Sequence, residues 1–397
     1  MDNLDNSIDQ IMTEDENDSF WNVKEILPTD EDGIFAIGNG KLLKCFRDDL
    51  TTVEIPEGIV EIERKVFYYF EKLESVKFPE TLRIIGVSAF AGCSALKEIK
   101  LPKNVKKIEF DAFARCHSVE VIELNDGLEE IGENAFAGTN IKSICIPDSV
   151  KFLRKDAFES CRNLEKVILS KNISTIPIRC FSYCVFKSID IPECVTTIDD
   201  CAFGPGKLES IKIPDSVIEL NARAFVRNEN LKSVYLSKNL KKIGFGTFDN
   251  CSSLEYMEIP FGVEEIGEDA FGECKALKSI EIPSSVEKID IDTFWGCESL
   301  EKLELKDGVK IISKTAFYGC TKLSKLILPA SLTELGHLVF CECKSLEEIE
   351  FQGTKKQWGA IKKQSTWRDW TPLKVVHCSD GDVSIKEKEF KSKPWYL

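Results

Sequence analysis

Sixteen cysteines, three histidines and many paired carboxylates are the side chains of this 397-residue chain with the means to do chemistry. Cys180, Cys184, Cys194 and Cys201 lie close enough in sequence to suggest a zinc site. Structural zinc takes paired Cys-x(2 to 4)-Cys ligands from turns, and only Cys180 with Cys184 has that spacing. His337 with Cys341 and Cys343 makes a second group, yet Cys343 falls in a recurring slot shared by many cysteines. Neither set is expected to hold a metal.

Catalysis has as little support. His117, His337 and His377 are the only histidines, and none stands beside an activated nucleophile. Phosphate-loop, dinucleotide and HExxH signatures are missing, so no cofactor is expected. Acid pairs such as Glu264-Glu265 and Glu347-Glu348 mimic the acid and base of a glycosidase, but they read as solvated turn positions. The chain therefore reads as a non-enzyme without catalytic residues. A carbohydrate-active enzyme remains a distant alternative.

The cysteines lead back to the elements that position them. Nine of them, Cys93, Cys116, Cys161, Cys184, Cys251, Cys274, Cys297, Cys320 and Cys343, each follow a phenylalanine by three residues. That phenylalanine recurs as Phe67, Phe90, Phe113, Phe136, Phe158, Phe181, Phe203, Phe225, Phe248, Phe271, Phe294, Phe317 and Phe340. A proline slot keeps the same time from Pro56 to Gln352, with gaps of 22 or 23 residues throughout. A unit this short cannot bury its own apolar face, so the units must stack.

Each period holds two short extended segments. One ends before the proline, as in Ile280-Glu281-Ile282, whose alternation marks a strand with one buried face. Proline lacks an amide hydrogen and ends the ladder there. The other spans a Val-x-x-Ile pair such as Val263 and Ile266, and a turn carrying Ala270-Phe271 leads to the next period. Fourteen rungs at the usual strand spacing make a solenoid about 62 Å long. The phenylalanines form its spine and the cysteines an inward ladder of compact apolar side chains. Parallel side-chain directions hold neighbouring β-carbons farther apart than a disulfide prefers, and Cys251 to Cys343 is a run of five rungs that cannot pair completely. Free buried thiols are the expectation, and they suit a reducing compartment.

The unit Ile259 to Ile280, with Gly267 in its glycine slot, resembles the repeat of the BspA-like leucine-rich-repeat family, of the form IPxxVxxIGxxAFxxCxxLxxI. The match covers about three quarters of the chain. Gly353 to Trp358, Trp367 and Val376-His377-Cys378 resemble the terminal cap of such proteins, and Phe35 to Val53 resembles a degenerate leading unit. The resemblance implies a right-handed β-solenoid of about 13–14 rungs, capped at both ends, that binds proteins or glycans without catalysis. It divides the chain into an acidic segment or cap at 1–32, the solenoid at 33–351 and a C-terminal cap and tail at 352–397.

Surface members of that family begin with a secretion signal, whereas Met1 to Asp32 has no basic start followed by an apolar run. The expectation is a cytoplasmic protein, with the cell surface as the alternative that the resemblance implies. No stretch is apolar enough for a membrane span. The net charge of −15 is concentrated at the front, where eleven acids and one base precede Gly33. No basic stripe exists to neutralise phosphates, so nucleic acid is not an expected partner.

Recognition is expected on the outward strand positions, which align into columns across rungs. Two residues before the proline slot, that column gathers Lys77 and Lys100 as a basic patch and Glu258, Glu281 and Glu304 as an acidic one. Tyr235 beside Tyr256 offers an aromatic pair between apolar Ile168 and the acids. Aromatics next to like charges favour interface hot spots and steering. Ile168, Tyr235, Tyr256, Glu258, Glu281 and Glu304 are thus the candidate binding residues, and the acids favour a basic partner. Cross-rung lysines such as Lys302 and Lys325 would alternatively just offset those acids.

Three periods lose one residue between the phenylalanine and the next strand, after Phe136, Phe181 and Phe203. Thr139 and Gly206 also replace the ladder cysteine there, so a tightened edge or bend is expected mid-array. The reading is a protein-protein interaction scaffold, monomeric, with a protein or glycoprotein partner. A bacterial surface adhesin for host matrix or mucin is the alternative.

Overall fold

The computed structural model describes residues 30–386. They wind as a parallel β-solenoid in which every turn places strands in two columns. The first column runs from Thr52–Glu54 to Val375–Cys378 and uses the segments that end at the proline slot. The second runs from Lys41–Cys45 through Glu61–Ile62 to Lys362–Lys363, which makes fifteen turns. Alternation sets the faces: in Tyr256–Glu258 the central Met257 is buried and its neighbours are exposed.

The third side of each turn is hydrogen-bonded as regularly as the strands. Except at Pro205, residues two before and two after the spine phenylalanine have positive φ, as in Asp269 at 55° and Glu273 at 54° around Phe271. These left-handed residues swing alternate amides along the solenoid axis. Asp269 N donates to Ile291 O at 3.0 Å, Phe271 N to Thr293 O at 2.9 Å and Glu273 N to Trp295 O at 2.6 Å. Where the glycine slot is filled, as at Gly267, a β-carbon would stand 2.7 Å from the backbone of Gly244 and Phe245. Adjacent turns approach too closely there for a side chain pointing inward along the axis.

The phenylalanine spine is continuous. From Phe67 to Phe340, neighbouring rings stack with centroids 4.8 to 5.9 Å apart and planes within 18°. The stack ends edge-on at both sides. Phe35 meets Phe67 at 77°, and Trp367 meets Phe340 at 79°. Edge-to-face contact is favourable for aromatic rings, and here it joins each end of the stack to a differently shaped turn.

All sixteen cysteines are free thiols. Each of the nine ladder thiols donates to the carbonyl of the spine phenylalanine one turn back, from Cys93 to Phe67 O at 3.1 Å through Cys343 to Phe317 O at 3.1 Å. The slot therefore needs a small, apolar side chain that is also a donor, which explains why cysteine recurs there.

Asn228 fills that slot beside the shortened turn at Gly206. Its fully buried amide donates to Phe203 O at 3.0 Å and Phe225 O at 2.9 Å, and its oxygen accepts from Leu208 N at 3.0 Å. Gly206 makes room, since a β-carbon there would lie 2.7 Å from Asn228 Oδ1 and 2.6 Å from Phe203 O. The shortened turns also coincide with a thin first column, where Asp190 keeps a single bridge to Lys212. From Tyr256 onward the same column becomes one continuous sheet.

Both ends differ from the sequence expectation. The leading unit opens as an antiparallel hairpin, Phe35–Gly38 against Lys41–Cys45, before parallel stacking starts at Leu42 and Ile62. At the other end the parallel array does not stop at Phe351. Lys362–Lys363 and Val375–Cys378 build a further turn, with Trp367 in place of phenylalanine. A longer period and a changed aromatic hid it. The helix Lys355–Ala360, with Thr354 and Gln357 in a capping box, links the strand Glu348–Phe351 to Lys362–Lys363 and buries Trp358. The expected acidic segment lies largely at 1–29, outside the described residues.

Candidate interaction surface on the strand face

Each candidate side chain stands on the outer side of the first column because its strand buries the alternate residue. Glu258, Glu281 and Glu304 pair in register on three successive strands of the continuous sheet, followed by Ile327 and Glu350. Tyr256 shares a strand with Glu258 and lies opposite Ser279. Tyr235 is one turn earlier, opposite Lys212 and outside that sheet. These rings are conspicuously open, 67% exposed for Tyr235 and 55% for Tyr256. They do not form the expected aromatic pair: among the described residues no ring contact joins them, because they occupy different positions of strands that are not laddered together. Ile168 is half exposed, lies opposite Cys145 and is separated from Tyr235 by the turns of Asp190 and Lys212.

Charge on this face divides along the axis. Lys77 and Lys100 are not a basic patch, since Lys77 pairs with Glu54 at 2.5 Å and Lys100 with Glu98 at 2.9 Å. Lys97–Glu74 and Lys142–Glu120 continue that cross-turn neutralisation. Glu304 is also paired, with Lys306 at 2.9 Å, and that ammonium holds its carboxyl below the usual range, with Lys302 and Lys325 adding more distant attraction. Lysine offset thus accounts for Glu304. Among the described residues Glu258 and Glu281 have no such partner. They face solvent beside Tyr256.

The other sequence candidates disperse. Cys184 donates to Phe158 O and Cys194 to Ile173 O, each within its own inter-turn contact. His337 is exposed with Nδ1 2.8 Å from Thr366 Oγ1, while Cys343 faces Phe317 O in the core. Burial pushes the thiols up, Cys93 to about 12 and Cys161 to about 11, so they are protonated at neutral pH. Glu264 and Glu347 pair with Lys241 and Lys374. Among the described residues the one set of three potential metal-ligating side chains is Glu268, Asp269 and Asp292, on the turn side.

The sequence reading missed two exposed aromatic sites. Phe261, directly after the proline slot, is 76% exposed beside the strand face. Trp295 and Tyr318 stack on the turn ridge at 6.2 Å. The available signal was an aromatic in a slot that other turns fill with Ala91, Ala114, Ala137 or Gly272. One further feature of the described residues is that no helix is long and apolar enough to cross a membrane.

The chain is similar to solved structures of leucine-rich repeat proteins. The crystal structure of a leucine-rich repeat protein from Bacteroides ovatus is 29% identical, with a TM-score of 0.66, over 84% of this chain and 94% of that one. One from Eubacterium ventriosum is 19% identical, TM-score 0.46, over 87% and 95%. A leucine rich cell surface protein from Faecalibacterium prausnitzii is 20% identical, TM-score 0.41, over 86% and 99%. Comparison with curated proteins gives no match. The model of the BspA type leucine rich repeat region, in six copies, matches residues 43–165, 153–276 and 241–361. With this match spanning most of the solenoid, the chain belongs to the BspA type leucine-rich-repeat family.

Proposed function

We propose that the protein is a non-enzymatic interaction scaffold whose strand face, around Tyr235, Tyr256, Glu258, Glu281 and Glu304 with Ile168 at its far end, binds a protein partner carrying basic groups. Membership of a leucine-rich-repeat family is consistent with a protein-interaction or surface role. The observation that carries the reading is the pair of in-register carboxylates Glu258 and Glu281, which form no ion pair among the described residues, with Lys306 acting on Glu281 only at longer range, beside an exposed tyrosine. Acids earlier on the same face are neutralised by neighbouring lysines. The continuous sheet beneath them supplies a rigid platform, so little ordering entropy is lost on binding.

The test immobilises the parent chain and a Tyr235→Ala/Glu281→Lys variant of equal thermal stability, and offers both a source-cell lysate and host matrix and mucin proteins. A protein retained by the parent and lost by the variant supports the strand face. Equal retention on both removes it. Retention of matrix or mucin components alone would turn the reading to an adhesin.

A further inference from the structure

Where the second strand column gives way to the turn ridge, the last turns leave a hollow of about 240 Å³. Its floor is Gly336, with Ser313 and Gln364 at the same position one turn before and one turn after. A β-carbon at Gly336 would lie 2.6 Å from Lys314 N and 2.7 Å from the Ser313 carbonyl carbon, so the close approach of the turns keeps a side chain out of that position. The floor amides are already bonded from turn to turn, Ser313 N to Ile289 O at 2.9 Å, Gly336 N to Ile312 O at 2.8 Å and Gln364 N to Leu335 O at 3.0 Å. Anything that enters the hollow must therefore be held by side chains.

The lining is of two kinds. Ile291, Ile311 and Ile312 give apolar surface, and Lys314, His337, Ser313 and Gln364 bring donors. Among the described residues the Lys314 ammonium has no ion-pair partner, and the Ser313 hydroxyl and Gln364 side-chain amide make no hydrogen bond. His337 has Nδ1 2.8 Å from Thr366 Oγ1, which leaves Nε2 open. The other lining charges are neutralised, Lys288 by Asp290 at 2.9 Å and Glu334 by Lys362 at 3.0 Å. A larger hollow of about 540 Å³ over Gly132, between the same two elements of earlier turns, has no such excess. Its charges close on one another, Lys107 with Glu109 at 3.1 Å, Arg154 with Glu130 at 2.9 Å and Lys155 with Glu133 at 2.8 Å. The Gly336 hollow thus combines positive charge, open donors and apolar surface.

An ammonium with hydroxyl, amide and imidazole donors around it is complementary to an oxyanion, because charge-assisted hydrogen bonds are the strong ones. Inorganic phosphate would use the donors and leave the isoleucines without a partner. A carboxylate on an alkyl body uses both, since its chain removes apolar surface from water. The volume falls below the roughly 300 to 1,000 Å³ of drug-sized ligand sites, so the occupant is small. We propose that the hollow over Gly336 binds a small aliphatic carboxylate group, its oxygens held by Lys314 with His337, Ser313 and Gln364, and its alkyl part against Ile291 and Ile311. The site lies away from the first strand column and is independent of the strand-face reading.

The test titrates hexanoate against the folded full chain by ligand-observed NMR, with 1-hexanol and inorganic phosphate as comparison ligands. Lys314→Gln should weaken hexanoate binding by about tenfold and Ile311→Ser by about threefold, and hexanol should bind at least about tenfold more weakly than hexanoate. Tyr235→Ala/Glu281→Lys should leave the affinity within about twofold. Unchanged affinity in Lys314→Gln overturns the inference, as does phosphate binding as tightly as hexanoate together with indifference to Ile311→Ser. A tetrapeptide ending in leucine, offered as free acid and as amide, separates the two sources of the group. Binding of the peptide acid but not its amide assigns the hollow to a chain end, and binding of hexanoate alone assigns it to a free acid; either supports the site. Equal binding of acid and amide, or binding of neither hexanoate nor the peptide acid, overturns it. Lys314 is exposed and Ile311 half-buried, so both variants should fold, and thermal unfolding checks that they do.

Discussion

Asn228→Ala tests the idea that the cysteine slot exists to supply an inter-turn donor. The amide satisfies Phe203 O and Leu208 N inside a fully buried contact, and alanine supplies neither partner. Phe225 O keeps the Asn228 backbone N–H and the Cys251 thiol, so that carbonyl is not orphaned. Two buried groups left unpaired at about 1 to 3 kcal/mol each give a loss of about 2 to 6 kcal/mol. Asn228→Cys, the residue used by most turns, should recover roughly half, because a thiol reaches Phe203 O and leaves Leu208 N unpaired. Solenoids unfold partly turn by turn, so a single melting temperature is a poor measure. Native-state hydrogen exchange, read on peptides spanning 203–231 alongside urea denaturation, resolves the local loss. A fall below about 1 kcal/mol for Asn228→Ala, or identical behaviour of the alanine and cysteine variants, would refute the donor argument.

Gly206→Ala should destabilise the same turns, since its β-carbon meets Asn228 Oδ1 and Phe203 O, and its effect should not add to that of Asn228→Ala in a double-mutant cycle. Phe203→Ala opens a void in the ring stack and should cost about 3 to 5 kcal/mol by urea denaturation; a parent-like unfolding curve would contradict the spine. Native thiol titration should modify exposed Cys145 first, while the nine ladder thiols react only on unfolding. Asp269, raised to about 6 from an ordinary carboxyl value, binds its proton more tightly folded than unfolded. Stability therefore falls as pH rises from about 4 to about 6 on its account, and Asp269→Asn should flatten that part of the pH–stability curve.

The sequence by itself determined the period, the two strand positions, the inward phenylalanine and cysteine columns and the outward strand residues. These follow from side-chain alternation and from the inability of a 23-residue unit to bury itself, both of which are local properties repeated many times. It could not show why cysteine is favoured over another small residue, because the partner of each thiol is a carbonyl one turn away. The left-handed ridge was equally hidden. Lys65, Arg179, Cys201 and Leu338 all adopt it, and only the hydrogen bonds to the next turn compel them to. Tertiary structure also decided the charge pattern, since Lys77 and Lys100 look like a patch until stacking brings Glu54 and Glu123 of the neighbouring turns within reach. The final turn at Trp367 and the hollow over Gly336 likewise depend on which residues stacking places side by side. Periodicity fixes what each turn repeats; contact between turns fixes which charges stay paired and which remain open to a partner.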